Sequence, residues 1–302
     1  MENRKQGQFS LQGQAVDVPA VAAGLYLVAT PIGNLDDISI RALKILAAAD
    51  LIACEDTRTT RKLLNHYAIK AEMLSYNDVN GAARRPELLD RLNRGEVVAL
   101  VSDAGTPLVS DPGHGLVREA IAAEIDVISI PGASAALAAL VASDCATDQF
   151  LFAGFLSSKA EQRRRQLANL REKGQTLIIY EAPNRIAATL AAVAEQFGSQ
   201  HRVSVARELT KRFESHYRGR VSDVISQLSD LERIRGEIVL VIDRPAAAAS
   251  VPSQQDLDVM IEQLLPTQST KQIAQELATT FNLPRRSIYQ RATALKAKRD
   301  EQ

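Results

Sequence analysis

Short apolar runs alternate with amphipathic stretches over residues 25–131, and this alternation constrains the fold more than any other feature of the sequence. The apolar runs have the length of buried strands and lie at residues 25–30, 51–54, 97–101 and 127–130. The stretches between them have helical spacing and lie at residues 38–49, 57–67, 82–94 and 116–123. Consecutive parallel strands need a crossover connection of this length, usually a helix. The pattern therefore predicts an α/β domain with a mostly parallel sheet covered on both faces.

A second α/β series follows residue 149. Strand-like runs lie at residues 150–155, 176–181, 202–206, 216–219 and 237–242, and helical patterns at 159–173, 184–197 and 221–231. The connection over residues 207–219 is too short for a crossover helix, which favours an antiparallel pair within a mixed sheet. We therefore predict two α/β domains, over residues 24–142 and 143–243.

The two ends of the chain differ from these domains. Residues 1–23 are rich in Gln and Gly, lack the apolar stretch of a secretory signal, and are predicted to be a flexible tail. Residues 244–254 have the composition of a linker. Residues 255–302 contain three helical patterns, and the stretch TKQIAQELATTFNLPRRSIYQRATALK resembles a helix-turn-helix. Both DNA binding and a plain helical packing module are open for this segment.

Composition excludes several classes of protein. The 36 Lys and Arg residues balance 36 Asp and Glu residues, so there is no overall positive field of the kind that a uniformly basic nucleic-acid binder has. Two cysteines provide neither a disulfide framework nor zinc-ligand spacing, which favours a reducing, cytoplasmic location. The longest uncharged run, over residues 127–143, is too short to span a membrane. Basic residues are nevertheless concentrated locally, in residues 57–70, 157–173 and 285–299.

Three loops follow predicted strands of the first sheet, where open α/β sheets bind ligands. Their sequences are ATPIGNL at residues 29–35, SDAGTPLVSDPG at 102–113 and PGASAA at 131–136. None is a dinucleotide fingerprint or a P-loop. The carboxylates of the second loop would accept hydrogen bonds from a ribose or an amino group, and the small residues of the third would admit a flat ring. As an isolated motif the first loop is weak and the second is more typical of an ordinary turn, and Ser134 in the third loop is also typical of a helix N-cap.

Taken together, the motifs resemble the tetrapyrrole-methylase superfamily, and within it the branch that methylates small-subunit ribosomal RNA. The resemblance extends over about residues 25–242 and rests on LYLVATPIGNLDDISIRALKILAAADLIACEDTRTTRKLL, VSDAGTPLVSDPG, IPGASA, IIYEAPNRI and ARELTKRFE. It implies two α/β domains with a donor-binding cleft between them and a small C-terminal helical segment. It also implies methyl transfer from S-adenosylmethionine to the ribose 2′-oxygen of a cytidine in the decoding region of 16S ribosomal RNA, within an assembled small subunit. A homodimer is expected on the same ground.

Carried over position by position, the resemblance implies a set of donor-binding residues, namely Pro31, Ser102, Asp103, Ala104, Ser134, Ala135, Tyr180, Glu181 and Ala206. No metal is required, and the four histidines show no metal-ligand spacing. A 2′-hydroxyl is a poor nucleophile, so a base or a cation that stabilises the developing alkoxide would help. We predict Lys211 for this catalytic role; the alternatives are Arg207, Glu181, Arg185 and His114.

RNA recognition is expected to depend on phosphate contacts and on an unpaired nucleotide. The residues predicted to contact RNA are arginines, at positions Arg58, Arg61, Arg163, Arg164, Arg165, Arg185 and Arg207. Each basic run is also typical of a solvated helix face. Two other functions stay open at this point: methylation of a small tetrapyrrole-like molecule, and DNA-binding regulation through the C-terminal helices.

Overall fold

A computed structural model describes residues 7–231, 233–245, 253–281 and 283–300. Most of the predicted linker, residues 246–252, lies outside the described residues. The chain forms two compact units. The larger unit comprises the residues up to Asn169 together with Thr176–Asp243, and the smaller comprises Leu170–Gln175 together with the chain from Arg244 onward. Within the described ranges, no helix is both long and apolar enough to cross a membrane.

The first sheet of the larger unit is parallel throughout, as predicted. Its strands, in spatial order, are β5 (Glu72–Ser75), β4 (Leu51–Cys54), β6 (Val97–Val101), β3 (Gly24–Val28) and β7 (Val127–Ile130). The crossover helices are α1 (Ile40–Ala48), α2 (Thr57–His66), α3 (Gly81–Asn93) and α4 (His114–Ala122), and α5 (Ala135–Val141) follows the last strand. A short 3₁₀ helix, Leu35–Asp37, precedes α1.

Continuous apolar runs form the central strands because both faces of this sheet are covered. Alternate residues of β6 enter opposite cores: Val97, Ala99 and Val101 pack with α1 and α2, whereas Val98 and Leu100 pack with α3 and α4. The edge strand β5 was not predicted. Its sequence, EMLS, is only partly buried and lacks a sustained apolar run, so its strand character depends on pairing with β4.

The second sheet is mixed, as predicted. Its strands, in spatial order, are β11 (Ser215–Arg220), β10 (Arg202–Arg207), β12 (Ile238–Ile242), β9 (Thr176–Glu181) and β8 (Phe150–Phe155). Only the pair β8 and β9 is parallel, and β10 pairs antiparallel with β11 across the short connection. Helices α6 (Ala160–Arg171), α7 (Ile186–Phe197) and α8 (Val221–Ser229) connect these strands.

The two sheets are not separate compact units. The predicted division after residue 142 falls between α5 and β8, but apolar residues of α5 pack against the second sheet. Ala136, Ala139 and Leu140 share one core cluster with Ile178 and Val241. This shared core joins the two sheets into one unit, which alternating sequence patterns cannot reveal because they describe each sheet separately.

The prediction of a flexible tail over residues 1–23 is wrong for the part of this segment that the structure describes. Strands β1 (Gly7–Leu11) and β2 (Gln14–Val18) form an antiparallel hairpin. Gln12 and Gly13, between them, both have positive φ, at 51° and 80°, which suits a two-residue hairpin turn. Phe9 is 1% exposed and belongs to the core cluster that contains α1. The burial of this aromatic ring holds the hairpin on the domain.

The C-terminal segment is helical, as predicted. Helices α9 (Gln254–Leu264), α10 (Thr270–Phe281) and α11 (Arg285–Asp300) surround a core of Leu257, Ile261, Ile273, Ala274, Leu277, Ile288 and Ala292. Ser253 and Asp256 form a capping box at the start of α9. Ser269 and Gln272 exchange hydrogen bonds in the same way at the start of α10. The segment therefore has its own core and its own helix caps.

Candidate functional site

A cavity of about 410 Å³ lies in the larger unit, where the strand-end loops of the first sheet meet one end of the second sheet. The loops after β3, β6 and β7 form one wall, and the ends of β8 and β9 with the start of β12 form the other. The lining residues are Ile32, Ala104, Gly105, Thr106, Val109, Ser110, Asp111, Ser134, Ala135, Phe155, Tyr180, Glu181, Ala182, Pro183, Gly236, Glu237, Ile238 and Val239. Most of these side chains are apolar or small, which is typical of a small-molecule site.

Hydrogen bonds from the main chain and from two threonine hydroxyls connect the three loops of the first wall. The Thr30 and Gly105 main chains form an isolated antiparallel bridge, with N···O distances of 2.9 and 3.0 Å. The Thr30 hydroxyl donates to the Ser102 carbonyl over 3.2 Å, and the Thr106 hydroxyl donates to the Ala133 carbonyl over 3.2 Å. The wall of the cavity is therefore preformed by contacts between residues that are distant in sequence.

Two glycines permit this close approach. Gly105 has φ of +81°, in the region that residues with a side chain rarely adopt. A Cβ at Gly132 would lie 2.9 Å from the Cβ of Ala29. Both positions therefore need glycine to keep the loops together.

Five of the nine predicted donor-binding residues line the cavity, namely Ala104, Ser134, Ala135, Tyr180 and Glu181. The other four lie around it. Ser102 is buried and its hydroxyl donates to the carbonyls of Ala104 and Gly105, so it shapes the loop. Asp103 is exposed and accepts a hydrogen bond from the backbone N–H of Asp56.

Pro31 and Ala206 complete the predicted set. Pro31 is partly exposed and precedes the cavity residue Ile32. Ala206 is 1% exposed and lies in the core cluster that contains Ile32 and Tyr180. Its side chain is therefore packed within the protein and does not line the cavity.

The carboxylate of Glu181 is fully buried and already occupied. Its Oε1 accepts from the Ala182 N–H over 2.9 Å, and its Oε2 accepts from the Thr189 hydroxyl over 2.6 Å. The Nε of Arg185 lies 3.1 Å from Oε1, an ion pair by distance although the N–H is poorly aligned for a hydrogen bond. Arg185 also donates to the Leu156 carbonyl over 2.6 Å. Glu181 and Arg185 therefore hold the turn after β9 and are poor candidates for a proton acceptor and an RNA contact.

Aromatic side chains form one side of the second wall. Tyr180 makes edge contacts with Phe152 and Phe155, with ring centroids 4.9 and 5.7 Å apart. Burial raises the pKa of the Tyr180 phenol, so it stays neutral at physiological pH. Phe155 lines the cavity although 59% of the residue is exposed. An exposed aromatic ring at the edge of a cavity is suited to stacking against a planar ligand.

Carboxylates cluster behind the loop after β6. Partial loss of contact with water is the main cause that raises the pKa values of Glu55, Asp103 and Asp111, and repulsion from neighbouring carboxylates adds to it in each case. Asp111 lines the cavity and also a second cavity of about 280 Å³, in which Asp78, Arg85 and His114 take part. The cluster therefore places negative charge beside the first cavity.

Lys211 lies in a network of ion pairs. Its Nζ donates to Oε1 of Glu208 over 2.9 Å and to Oε2 of Glu237 over 3.0 Å. Burial alone would lower the pKa of Lys211, but the two hydrogen bonds to carboxylates outweigh it and the pKa is raised. A protonated ammonium has no lone pair, so of the two roles considered for Lys211, a base or a cation, these contacts favour the cation. It does not line the cavity, although its partner Glu237 does.

The connection that carries Lys211 is strained. Glu208 and Thr210 have φ values of 53° and 64°, which residues other than glycine rarely adopt. The Thr210 N–H donates to Glu214 over 2.6 Å, and the Thr210 hydroxyl accepts from the Asn34 N–H over 3.1 Å. A Cβ at Gly33 would lie 2.5 Å from Cγ of Lys211. The connection is thus attached to the loop after β3.

The arginines predicted to contact RNA have different surroundings. Arg163 is 7% exposed, so the prediction that it contacts RNA is wrong. Successive residues of a helix are rotated by about 100°, so Arg163 faces the protein interior on α6 while Arg164 and Arg165 face solvent. Arg164 pairs with Glu195 and Arg165 with Glu161, and all four of these side chains are largely exposed.

On α2, the Arg58 side chain is 88% exposed and pairs with Asp56. The hydrogen bonds from Arg58 lower the pKa of the Asp56 carboxyl to about 2. Arg61 is exposed on the same helix. Arg207 is partly buried and its Nε donates to the Ser215 hydroxyl over 3.0 Å. Exposed arginines in weak surface pairs stay available to a polyanion, because such pairs contribute little.

Several cavity residues were not predicted. One of them is Glu237, which follows Gly236. Position 236 must be glycine because a Cβ at this position would lie 2.4 Å from the carboxyl group of Glu208. Phe155 and Glu237 lie outside the quoted motifs, and nothing in the local sequence distinguishes them. Asp111 lies within SDAGTPLVSDPG, and its position after a strand was the available signal. In the described part of the chain, no group of three or more His, Cys, Asp or Glu side chains is arranged to hold a metal ion.

Comparison with known proteins identifies similar families and folds. A family model described as Tetrapyrrole (Corrin/Porphyrin) Methylases matches residues 24–225. A second, described as RsmI C-terminal HTH domain, matches residues 251–296. The chain is 43% identical to the ribosomal RNA small subunit methyltransferase I of Mesorhizobium japonicum, over 93% of this chain and 95% of that protein. It is 44% identical to the protein of the same name from Synechocystis, over 90% of this chain and 98% of that protein.

Solved structures share the fold at lower identity. Diphthine synthase superposes with a TM-score of 0.57 at 14% identity, covering 72% of this chain and 89% of that one. A conserved hypothetical protein from Aeropyrum pernix K1 also gives 0.57, at 18% identity, covering 92% of this chain and 98% of that one. At these identities the likeness is one of fold alone.

Proposed function

The chain belongs to the tetrapyrrole methylase family and is a methyltransferase, and from this premise we propose that it methylates small-subunit ribosomal RNA. The proposed reaction transfers a methyl group from S-adenosylmethionine to the ribose 2′-oxygen of a cytidine in the decoding region of 16S ribosomal RNA, with an assembled small subunit as substrate. The observation that carries the proposal is the similarity to relatives named for this RNA over about nine-tenths of the chain. That similarity includes the C-terminal helices.

The cavity residues fit the methyl donor. S-adenosylmethionine combines a planar adenine ring with a ribose, an amino-acid end and a positively charged sulfur. Apolar side chains and the exposed ring of Phe155 suit the adenine, and the carboxylate of Asp111 suits the positive charges. We propose that Ala104, Ser134, Ala135 and Tyr180 contact the donor directly, and that Glu181, whose carboxylate is already occupied, contacts it through its main chain. Pro31, Ser102, Asp103 and Ala206 support the loops and the core behind it.

When bound, the donor supplies a methyl carbon that its positive sulfur has already activated. The contribution of the protein is to hold the acceptor oxygen in line with that carbon and to exclude water. Correct orientation can supply about 7 to 11 kcal/mol of the barrier. The preformed loops, connected through Thr30, Gly105 and Thr106, are suited to this role because they do not need to rearrange.

We propose that Lys211 acts as a fixed cation that positions Glu237 at the cavity wall. Replacing Lys211 by alanine is expected to lower the single-turnover methylation rate about tenfold at saturating donor and RNA, because Glu237 would lose its counter-ion. Lys211→Arg is expected to restore part of the rate. Rates come from rapid-quench transfer of radioactive methyl, with the dissociation constant of the donor as a control. Full activity of Lys211→Ala would exclude the role.

The pH dependence of donor binding is expected to report on Asp111. A nearby cation stabilises an ionised carboxylate, so S-adenosylmethionine should bind more weakly as the pH falls through the raised pKa of Asp111. The loss should be roughly tenfold, from an interaction of about 1 to 2 kcal/mol between partly screened charges. S-adenosylhomocysteine lacks the charged sulfur and should lose less affinity.

Calorimetric titrations of both ligands from pH 8 down to about pH 4, close to the ordinary pKa of an aspartate, measure this difference. Asp111→Asn should remove most of it, whereas Asp126→Asn changes a carboxylate outside the cluster and should leave it intact. Parallel pH curves for the two ligands would contradict a donor site beside this carboxylate.

For RNA binding we propose the exposed arginines Arg58 and Arg61 of α2 and Arg164 and Arg165 of α6, with Arg207 near the cavity. Arg185 belongs to the Glu181 network, and Arg163 is buried.

We further propose a cytoplasmic homodimer. The exposed apolar side chains of Leu137 and Val141 on α5 support a contact between copies. Analytical ultracentrifugation that finds only monomers at micromolar concentration would exclude the dimer.

The proposed function is tested by mapping 2′-O-methyl groups on small-subunit RNA from cells with and without the protein. Purified small subunits, naked 16S RNA and a porphyrinoid are then offered to the enzyme with labelled donor. We expect one cytidine mark in the decoding region to disappear without the protein, and labelled subunits to be the preferred product. An unchanged map, or preferential labelling of the porphyrinoid, would overturn the proposal.

A further inference from the structure

The helices of the C-terminal unit carry segregated charge. Helix α9 contains Asp256, Asp258 and Glu262 and no basic residue, whereas α11 contains six basic residues and one acidic residue, Asp300. The C-terminal unit therefore has an acidic helix and a basic helix, although the formal net charge of the whole chain is zero. Such a local field attracts a polyanion to one side of the unit.

One arginine of α11 has a structural role. The guanidinium of Arg291 donates to Asp258 over 2.8 Å and to the Gln254 carbonyl over 3.1 Å. These contacts join α11 to α9, and the side chains of both partners are about one-third exposed. Arg291 is thus committed to holding α11 against α9.

The other basic residues of α11 point outward. Ile288 and Ala292 are buried and Leu295 is partly buried, so this side of the helix faces the core. At 100° per residue, Arg285, Arg286, Tyr289, Thr293 and Lys296 fall within about 100° of one another on another side. All five are exposed. We call Arg285, Arg286, Tyr289 and Lys296 the α11 face.

The α11 face combines cations with an aromatic ring. Its three basic side chains make no ion pair with any residue that the structure describes. Tyr289 is 46% exposed and lies between Arg286 and Lys296 along the helix. Arg285 and Lys296 are 11 residues apart, which is about 16 Å along an α-helix and spans several phosphates. Phosphate contacts on either side of a stacking ring are the arrangement that binds unpaired RNA.

We propose that the α11 face binds an unpaired segment of the ribosomal RNA substrate, with Arg285, Arg286 and Lys296 on phosphates and Tyr289 stacked on a base. This inference rests on the proposed function and assigns a role to the helix-turn-helix-like segment within it. RNA is favoured over duplex DNA because the relatives that share this segment are named for ribosomal RNA. The C-terminal unit then contributes to substrate affinity and leaves donor binding unchanged.

The test uses the full chain and two matched double variants. Arg285→Gln with Arg286→Gln removes two charges from the α11 face, and Lys298→Gln with Arg299→Gln removes two charges from the same helix beyond it. At 150 mM salt the first variant is expected to bind small subunits about tenfold more weakly than the second. Removing two single-strand phosphate contacts should also make the slope of log affinity against log salt shallower by about 1.4.

Tyr289 distinguishes stacking from charge. Tyr289→Leu is expected to weaken binding about tenfold at an unchanged salt slope, since no charge is lost, and Tyr289→Phe to retain affinity because the ring remains. Calorimetric affinity for S-adenosylmethionine should be the same in every variant, which shows that the larger unit is intact.

The outcomes separate this inference from the proposed function. If the wild-type chain fails to methylate small subunits, the proposed function fails. If it methylates them and the two double variants bind equally well, the α11 face is not an RNA contact. Preferential, sequence-selective binding of duplex DNA that requires the same residues would also overturn the inference.

Discussion

Replacing Ala135 by phenylalanine is expected to abolish binding of S-adenosylmethionine, with a loss of at least a hundredfold in affinity. Ala135 is the first residue of α5 and lines the 410 Å³ cavity. A phenyl ring at this position would occupy space that the donor needs, and a preformed wall cannot move aside without losing its loop contacts. Isothermal titration calorimetry with S-adenosylmethionine measures the loss.

The control for this variant is Ala188→Phe. Ala188 is exposed on α7 and lies outside the cavity, so the same change in size should leave donor affinity within about twofold. If Ala135→Phe lowers the melting temperature by several degrees, Ala104→Phe tests the same cavity from an exposed position on the loop after β6. Normal affinity in both cavity variants would show that the donor binds elsewhere.

Replacing Glu181 by alanine is expected to destabilise the protein by about 3 to 5 kcal/mol, as is typical when one partner of a buried ion pair is removed. The change leaves the Thr189 hydroxyl and the Ala182 N–H without their buried acceptor and Arg185 without its counter-ion. Urea unfolding followed by circular dichroism measures the loss of unfolding free energy.

Glu195→Ala is the matched control, because Glu195 pairs with Arg164 at the surface. Removal of an exposed pair should cost only about 0 to 1 kcal/mol. Equal destabilisation by the two substitutions would contradict the structural role of Glu181. Glu181→Gln is expected to fall between them, since an amide keeps one acceptor but has no charge for Arg185.

Local patterns were sufficient for most of the fold. Runs such as Val97–Val101 are apolar at every position because alternate residues enter two cores, and the sequence therefore predicted both the strand and the covered sheet. The hairpin at residues 7–18 was missed although Gln-Gly separates two alternating segments. Its stability comes from Phe9 in a distant core, which no local pattern contains.

The sequence predicted which loops carry the candidate site, but not which side chains face the cavity. Motifs placed Ala104, Ser134 and Ala135 after strands of a parallel sheet, and the carboxyl ends of such strands share an edge. Which side chains face the cavity depends on packing: Ala206 lies in the core, while Glu237, outside the motifs, lines the wall.

By itself, the sequence determined most of the order of strands and helices, the family and the loops that carry the site, because these depend on local periodicity and on motifs of contiguous residues. The tertiary structure decided which groups are available for chemistry. It makes Lys211 a paired cation, encloses Glu181, turns Arg163 inward and exposes Tyr289. Burial and pairing are set by residues from other elements of the fold, and their effects on pKa and accessibility arise only once those elements have packed together.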